Sequence, residues 1–355
     1  MKIGIPRERK LREGRVVLTP QAVAMLVAAG HEIRVERGAG TLSGFPDEEF
    51  LQAGARLADT LAEVYAADLV VKVKEPQPEE YPFLRPGLVL FCFLHLAAYP
   101  EVMAQLLERE VTALAFETLV VQGRLPLLAP MSAIAGKLAV QLGMQHLQQP
   151  CGGAGVLLGG IAQTPPGKVV VLGAGVAGTH AAVMASALGA DVWVVDVSDA
   201  ALETLVSQHR NINAVRAGER TLPLVLPDAD LLIGAVLRPG AEAPHLVSRA
   251  QLALMPRGRV VVDIAIDQGG CIEGVRATDW ERPAYWEDGL GFIAVPNLPG
   301  AVPRTSAQAL SRAVQLWARV LADGEGKVPS GMASAVAVEA GRVVHPALAG
   351  IAGRP

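Results

Sequence analysis

Residues 169–196 read VVVLGAGVAGTHAAVMASALGADVWVVD, and their pattern decides the fold class. An apolar run suited to a buried strand leads into Gly173-x-Gly175-x-x-Gly178, which opens an alanine-rich helical stretch. A second apolar strand follows and ends at Asp196. The first glycine permits a tight turn, the second lets a pyrophosphate approach the backbone, and the third lets the helix lie on the strand. The helix N-terminus then favours the phosphate charge. Three spaced glycines carry little weight alone in a chain with 37 of them, because a glycine-rich turn beside a helix-capping acid has the same letters. The strand before, the helix after and the acid about 20 residues on favour dinucleotide binding. A carboxylate at 196 accepts hydrogen bonds from ribose hydroxyls and repels a 2′-phosphate, so the expected cofactor is NAD rather than NADP.

The alternation extends in both directions. Downstream, DLLIGAV, RVVVDIAI and GFIAVPN read as further strands of the same unit. Upstream, KIGIP, HEIRVE, LVVKVKEP, GLVLFCFLH and VTALAFET alternate with helical stretches such as TPQAVAMLVAAG (a Thr start and a Gly stop), LAEVYAAD and PEVMAQLLERE. Near-continuous apolar strands between amphipathic helices imply parallel sheets covered on both faces. MSAIAGKLAVQLGMQHLQ is too long for a tight connection and reads as a helix joining two domains. Near the C-terminus, Leu310, Val314, Trp317 and Leu321 recur at helical spacing. The segment that carries them is short for an independent domain and is expected to pack back on the first.

Bulk properties narrow the function. The chain has 355 residues, 51 % hydrophobic and 19 % charged, which suits a two-domain, core-rich α/β protein. A net charge of −4 offers no electrostatic footprint for nucleic acid or an anionic membrane. Cys92, Cys151 and Cys271 are odd in number and scattered, which fits a reducing cytoplasm better than a disulfide framework or a thiolate metal site. MKIGIP begins directly on a strand pattern without a signal core, and no apolar run reaches the roughly 18 residues of a membrane span. HExxH and GxSxG are absent, the histidines lack metal-ligand spacing, and no metal is expected. The glycine-rich PCGGAGVLLGG (150–160) leads into IAQTPPG and reads as a mobile or tightly packed connection.

A nicotinamide enzyme also needs groups that hold a substrate and move protons. In LVVKVKEP, period-two alternation puts Lys72 and Lys74 on one side, with Lys74 at the strand's carboxyl end, and His95 ends the next strand in the same way. In a parallel sheet both emerge at the edge where open α/β sheets bind ligands, and Arg15, after the first strand, lies on that edge too. Taken singly, each has a plainer reading: a core histidine, a solvated lysine, a surface arginine. Asp267 and Asn297 fall just past strand ends in the second unit, whereas Asp263 sits within its strand. Cationic groups for a carboxylate, with His and Asp for protons, suit a dehydrogenase of a small α-keto or α-amino acid.

The opening MKIGIPRERKLREGRVVLTP, then KVKEP, FLHLAA, APMSAIAG, LGAGVAG, DIAIDQGG and PNLPGAVPRTSA, in this order along nearly the whole chain, resemble the alanine dehydrogenases. More distant likenesses are the NAD-binding subunit of proton-translocating transhydrogenase and saccharopine dehydrogenase. The resemblance implies reversible NAD-dependent conversion of L-alanine and water to pyruvate and ammonium. By the same resemblance, Arg15 and Lys74 bind the carboxylate and carbonyl of pyruvate, and His95 and Asp267 share the acid/base work in an undivided way. Met131, Ser132 and Asn297 line the junction of substrate and nicotinamide, Met131 and Asn297 towards the substrate. Val236, Leu237, Ile266 and Leu298 touch the cofactor, together with Val176 and Ala177 in the glycine turn, while Asp196 holds its ribose. The implied fold class is α/β with two Rossmann-like, doubly wound parallel-sheet domains. Residues 131–300 form the NAD-binding domain, inserted into a substrate domain of residues 1–130 and 301–355. A cytoplasmic homohexamer with no nucleic-acid or membrane partner completes the expectation. One departure is Ala201 in VSDAAL, where relatives often carry a basic residue that serves the adenosine side. Two other functions use the same glycines: a subunit that passes hydride to a partner protein, and a non-catalytic NAD-binding sensor. Neither needs Arg15, Lys74 and His95 together.

Overall fold

The computed structural model describes residues 1–236 and 244–350, which divide into two compact units: 1–131 with 299–350, and 132–236 with 244–298. The division falls between Met131 and Ser132, inside the helix Ala129–His146. No helix among the described residues is long and apolar enough to cross a membrane.

In the first unit six strands run parallel: β1 (Lys2–Ile5), β2 (Glu32–Glu36), β3 (Arg56–Ala58), β4 (Leu69–Val71), β5 (Val89–Cys92) and β6 (Thr112–Ala115). Their order is β6-β5-β4-β1-β2-β3, so the winding direction reverses between β1 and β4. A C-terminal hairpin, Val336–Glu339 and Arg342–Val343, extends the β6 edge in the antiparallel sense, so the sheet is mixed rather than wholly parallel. The helix Pro303–Asp323 belongs to the same unit and buries Leu310, Val314 and Leu321, with Trp317 half-buried. Thr19 stands at the N-cap of the helix Pro20–Ala28 as its position suggests, but its hydroxyl lies 3.2 Å from that of Ser311 instead of capping.

Side-chain alternation along β5 fills both faces of this sheet. Leu88, Leu90, Cys92 and Leu94 join a core that includes Met103 and Leu106 of the helix Pro100–Glu108. The odd-numbered residues on the other face include Phe91 and Phe93, whose rings meet Phe116 edge-on at 4.4 and 5.1 Å. A strand sandwiched in this way has no polar face, hence its continuous apolar run.

The second unit repeats the arrangement with β7 (Lys168–Leu172), β8 (Asp191–Asp196), β9 (Ile212–Arg216), β10 (Leu231–Gly234), β11 (Val260–Asp263), β12 (Tyr285–Glu287) and β13 (Leu290–Ile293). The order is β12-β13-β11-β10-β7-β8-β9, parallel except for β12, which forms an antiparallel edge hairpin with β13. Here the direction reverses between β7 and β10. Both units are therefore doubly wound α/β sheets, and in such sheets ligands bind outside the carboxyl ends of the strands at the reversal. The segment 150–160 is tightly packed at Gly159, where a Cβ would lie 2.1 Å from the Leu188 carbonyl oxygen.

Candidate active site

At the reversal point of the first sheet the segments following β1 and β4 lie side by side, with the segment following β5 next to them. Arg15, after β1, is only 2 % exposed, so it is no surface arginine. Its Nε donates to Glu13 Oε1 at 2.6 Å, its Nη2 pairs with the other oxygen of that carboxylate, and its Nη1 lies 3.1 Å from Met131 Sδ. Met131, the last residue of this unit's N-terminal segment, thus sits beside Arg15.

LVVKVKEP does not form one strand. Regular β structure stops at Val71, although the ladder continues weakly, with Lys72 N donating to Phe91 O at 3.2 Å and Phe93 N to Val73 O at 3.0 Å. The two lysines then part ways. Lys72 is fully buried, with Nζ 2.6 and 2.7 Å from the two Glu80 oxygens and 3.8 Å from Glu8, while Tyr65 donates its hydroxyl proton to Glu80 at 2.8 Å. It belongs to the interior rather than to the ligand edge. Lys74 is also buried, but its charge acts on His95.

His95 is three residues past β5 rather than at its end, in a left-handed conformation with φ +46°. Its ring lies parallel to that of Phe93 with centroids 5.8 Å apart, and 28 % of its side chain is exposed. Burial, then the Lys74, Lys10 and Arg15 cations, lower its pKa to about 3. Charges on the segments that follow β1 and β4 thus act on one imidazole in the segment that follows β5, and that imidazole is neutral at physiological pH. Lys10 is held by Glu75 (2.6 Å) and by Tyr99 Oη (2.9 Å), over whose ring it lies at 4.5 Å. Lys10, Glu13, Glu75 and Tyr99 escaped the sequence reading. The signal available for the acids was their place beside a predicted functional residue, Glu13 two positions before Arg15 and Glu75 directly after Lys74.

In the second unit the glycine turn has the expected geometry. Gly173 has φ +102°, and a Cβ on it would lie 2.7 Å from the Ala235 carbonyl oxygen. A Cβ on Gly178 would sit 1.8 Å from the Gly173 carbonyl oxygen, so helix Val176–Ala187 could not rest on the turn. A Cβ on Gly175 would meet nothing within 4 Å, so the turn opens onto space there. The first intrahelical bond is Thr179 N to Gly175 O at 2.9 Å, which leaves the Val176, Ala177 and Gly178 amides outside the helix ladder. A dinucleotide's pyrophosphate fits this cradle. Asp196, at the end of β8, accepts from Ala174 N at 2.6 Å and Ser198 N at 2.8 Å and stands half-buried beside the turn.

The other predicted positions follow β10, β11 and β13. Val236 is half-buried after β10, and Leu237 lies outside the described residues. Asp263 ends β11, 1 % exposed, and accepts from the amides of Ala265 (2.9 Å), Cys271 (2.8 Å) and Ile272 (3.1 Å). It thereby closes the turn Ile264–Gln268, which carries half-buried Ile266 and exposed Asp267. Asp267 Oδ2 accepts from Asn297 N at 3.0 Å, with Asn297 in a left-handed turn of φ +55°, so these two are brought together. Ser132 is half-buried. Leu298, at the end of this unit, is buried, 3 % exposed.

The family model described as "Alanine dehydrogenase/PNT, N-terminal domain" matches residues 4–135, and that described as "Alanine dehydrogenase/PNT, C-terminal domain" matches residues 139–346. The chain is similar to "Alanine dehydrogenase" of Bacillus subtilis (strain 168), with 47 % identity over 91 % of this chain and 86 % of that protein. A solved structure of "L-alanine dehydrogenase" superposes with a TM-score of 0.94, at 42 % identity and covering 99 % of both chains. The transhydrogenase from Sinorhizobium meliloti superposes with a TM-score of 0.83, at 28 % identity over 98 % of this chain and 100 % of that one.

Proposed function

Because the chain belongs to the alanine dehydrogenase/PNT family, we propose that it catalyses L-alanine + NAD⁺ + H₂O ⇌ pyruvate + NH₄⁺ + NADH + H⁺. The observation that carries this reading is the placement of Arg15, Lys74 and His95 on the segments that follow three adjacent strands, β1, β4 and β5, at the reversal point of the first sheet. A nicotinamide dinucleotide would be held by the amides of the 173–178 turn and by Asp196 at the ribose. When bound, it supplies the acceptor for the hydride of the alanine Cα.

The chain's own residues do the remaining work. Arg15, held flat by Glu13, offers a planar donor pair to the substrate carboxylate. Lys74 supplies positive charge where the carbonyl, or the developing carbinolamine oxygen, resides. His95, neutral in the free pocket, can take the proton of the water that attacks the iminium carbon. The substrate carboxylate offsets Arg15 and Lys74 on binding, which raises the proton affinity of His95 when it is needed. Asp267, exposed at its turn, is the second candidate for proton transfer. The domain roles follow, with residues 1–130 and 301–355 for the substrate and 131–300 for the cofactor. The family resemblance adds a cytoplasmic homohexamer.

The direct test is NADH absorbance with a panel of L-amino acids and NAD⁺, repeated in reverse with pyruvate and ammonium. Turnover with L-alanine and pyruvate is expected. Silence in both directions with NADH binding intact would discard this reading in favour of hydride transfer to a partner. Specificity for NAD rests on Asp196. The Asp196→Asn substitution keeps an acceptor for Ala174 N but removes the charge, and the NAD-to-NADP preference in kcat/KM should fall by roughly 10–100-fold. An unchanged preference would remove Asp196 from the ribose.

A further inference from the structure

Where β4 and β5 end, their ladder runs out, and the amides of Val73, Lys74, Leu94 and His95 must find partners elsewhere. Two carboxylates supply them, one from each side. Glu8 follows β1, the neighbour of β4, and accepts from Val73 N at 2.5 Å through Oε1 and from Lys74 N at 3.2 Å through Oε2. Glu117 follows β6, the neighbour of β5, and accepts from His95 N at 2.6 Å and from Leu94 N at 3.2 and 3.3 Å. Each acid therefore grips the peptide that carries one substrate-pocket side chain.

A buried carboxylate is a costly way to satisfy an amide, since a backbone carbonyl or a hydroxyl would serve. Side-chain exposure is 2 % for Glu8 and 11 % for Glu117. Burial raises the pKa of both, and that of Glu8 reaches about 7. The left-handed turn at His95 is a further cost that the surroundings must hold in place, and Glu117 bonds to that very amide. The two acids differ in their other neighbours. Glu8 lies 3.8 Å from the Lys72 ammonium. Glu117 Oε1 lies 3.9 Å from His95 Nδ1, near enough to stabilise an imidazolium without a hydrogen bond in the resting state.

We infer that Glu8 and Glu117 are positioning residues with separate outputs: Glu8 sets Lys74 for substrate binding, and Glu117 sets His95 for proton transfer. The inference rests on the proposed reaction, because it assigns the two outputs to steps of that reaction.

The experiment compares full-length wild type, Glu8→Gln and Glu117→Gln in the pyruvate, ammonium and NADH direction, with NADH binding and melting temperature measured on each. For Glu8→Gln the pyruvate KM is expected to rise about tenfold with kcat within about threefold, as for one charged hydrogen bond lost in binding. For Glu117→Gln kcat is expected to fall about tenfold or more with the pyruvate KM within about threefold. NADH affinity should be unchanged in both. If both variants change KM and kcat alike, in proportion to a lowered melting temperature, the acids are merely structural and the inference fails. Wild-type kinetics in either variant also overturns it. A silent wild type defeats the proposed reaction itself. Hydrogen exchange then decides the grip alone, which requires faster exchange at 73–74 in Glu8→Gln and at 94–95 in Glu117→Gln. Should a Gln variant not fold, the Glu→Asp variant, which withdraws the charge by one methylene, takes its place in the same measurements.

Discussion

Replacing His95 with alanine should lower turnover by about 10²–10⁴-fold while leaving NADH binding and the melting temperature near wild type. The size follows from removing a general acid/base whose replacement by solvent water is slow. The small effect on folding follows from its place in a partly exposed turn outside the strand. Near-normal turnover with a damaged melting curve would return His95 to the role of a packing residue beside Phe93. The pH dependence of the wild type makes the same point from another side. Burial together with Lys74, Lys10 and Arg15 holds the free-enzyme imidazole neutral, with a pKa of about 3. The profile of kcat/KM reports free-enzyme groups, so it should show no loss from His95 protonation between about pH 5 and 9, where an unshifted histidine would titrate near 6.5. A limb near 6.5 that disappears in His95→Ala would show that the pocket does not hold the ring neutral.

Lys72→Met should cost about 3–5 kcal/mol of stability, because it removes the cation from a buried cluster and leaves its acids in place. Lys72 and Glu80 are both fully buried, with Nζ 2.6 Å from Glu80 Oε2, and Glu8 is the second acid within reach at 3.8 Å. Burial alone would lower the lysine's pKa, but the Glu8 and Glu80 charges outweigh it and the pKa is raised. A base raised in the folded state stabilises the fold below its ordinary pKa and loses that contribution as pH rises past the folded value. The contribution is therefore complete at neutral pH and lost only above the lysine range. Urea titration of Lys72→Met and of Lys72→Met with Glu80→Gln measures the effect. The double variant should recover a large part of the loss, since the stranded charge is neutralised. A single-variant loss below about 1 kcal/mol would show that the cluster is not energetically coupled.

These two lysines show where sequence reasoning stops. KVK offers two basic residues two positions apart, and strand periodicity treats them as equivalent. They separate because Glu80, eight residues downstream in a turn, captures the first, and Glu8, three residues past the end of the neighbouring strand, grips the peptide of the second. His95 is similar. The apolar run before it announces a buried strand that ends near a polar residue, and that much is legible. Its left-handed turn is held by Glu117, and its neutrality comes from burial and then from cations more than 20 residues away in the chain. The positions of Asp263 and Asp267 are legible too, since the first ends its strand inside the core and the second stands exposed on the following turn.

What the chain determined by itself is what local spacing encodes: the alternation of buried strands and helices, the glycine turn with its acid, and the residues standing just beyond the strands. These depend on neighbours within a few positions, so a linear reading reaches them. The tertiary structure alone decided which strand lies beside which. It placed β1 against β4 in one unit and β7 against β10 in the other, and with them the segments that carry Arg15 and Lys74 next to each other and the glycine turn beside Val236. It also chose a partner for each buried charge. Such a partner is selected by proximity in space under a desolvation cost that leaves no charge unpaired, and spacing along the chain carries no record of that choice.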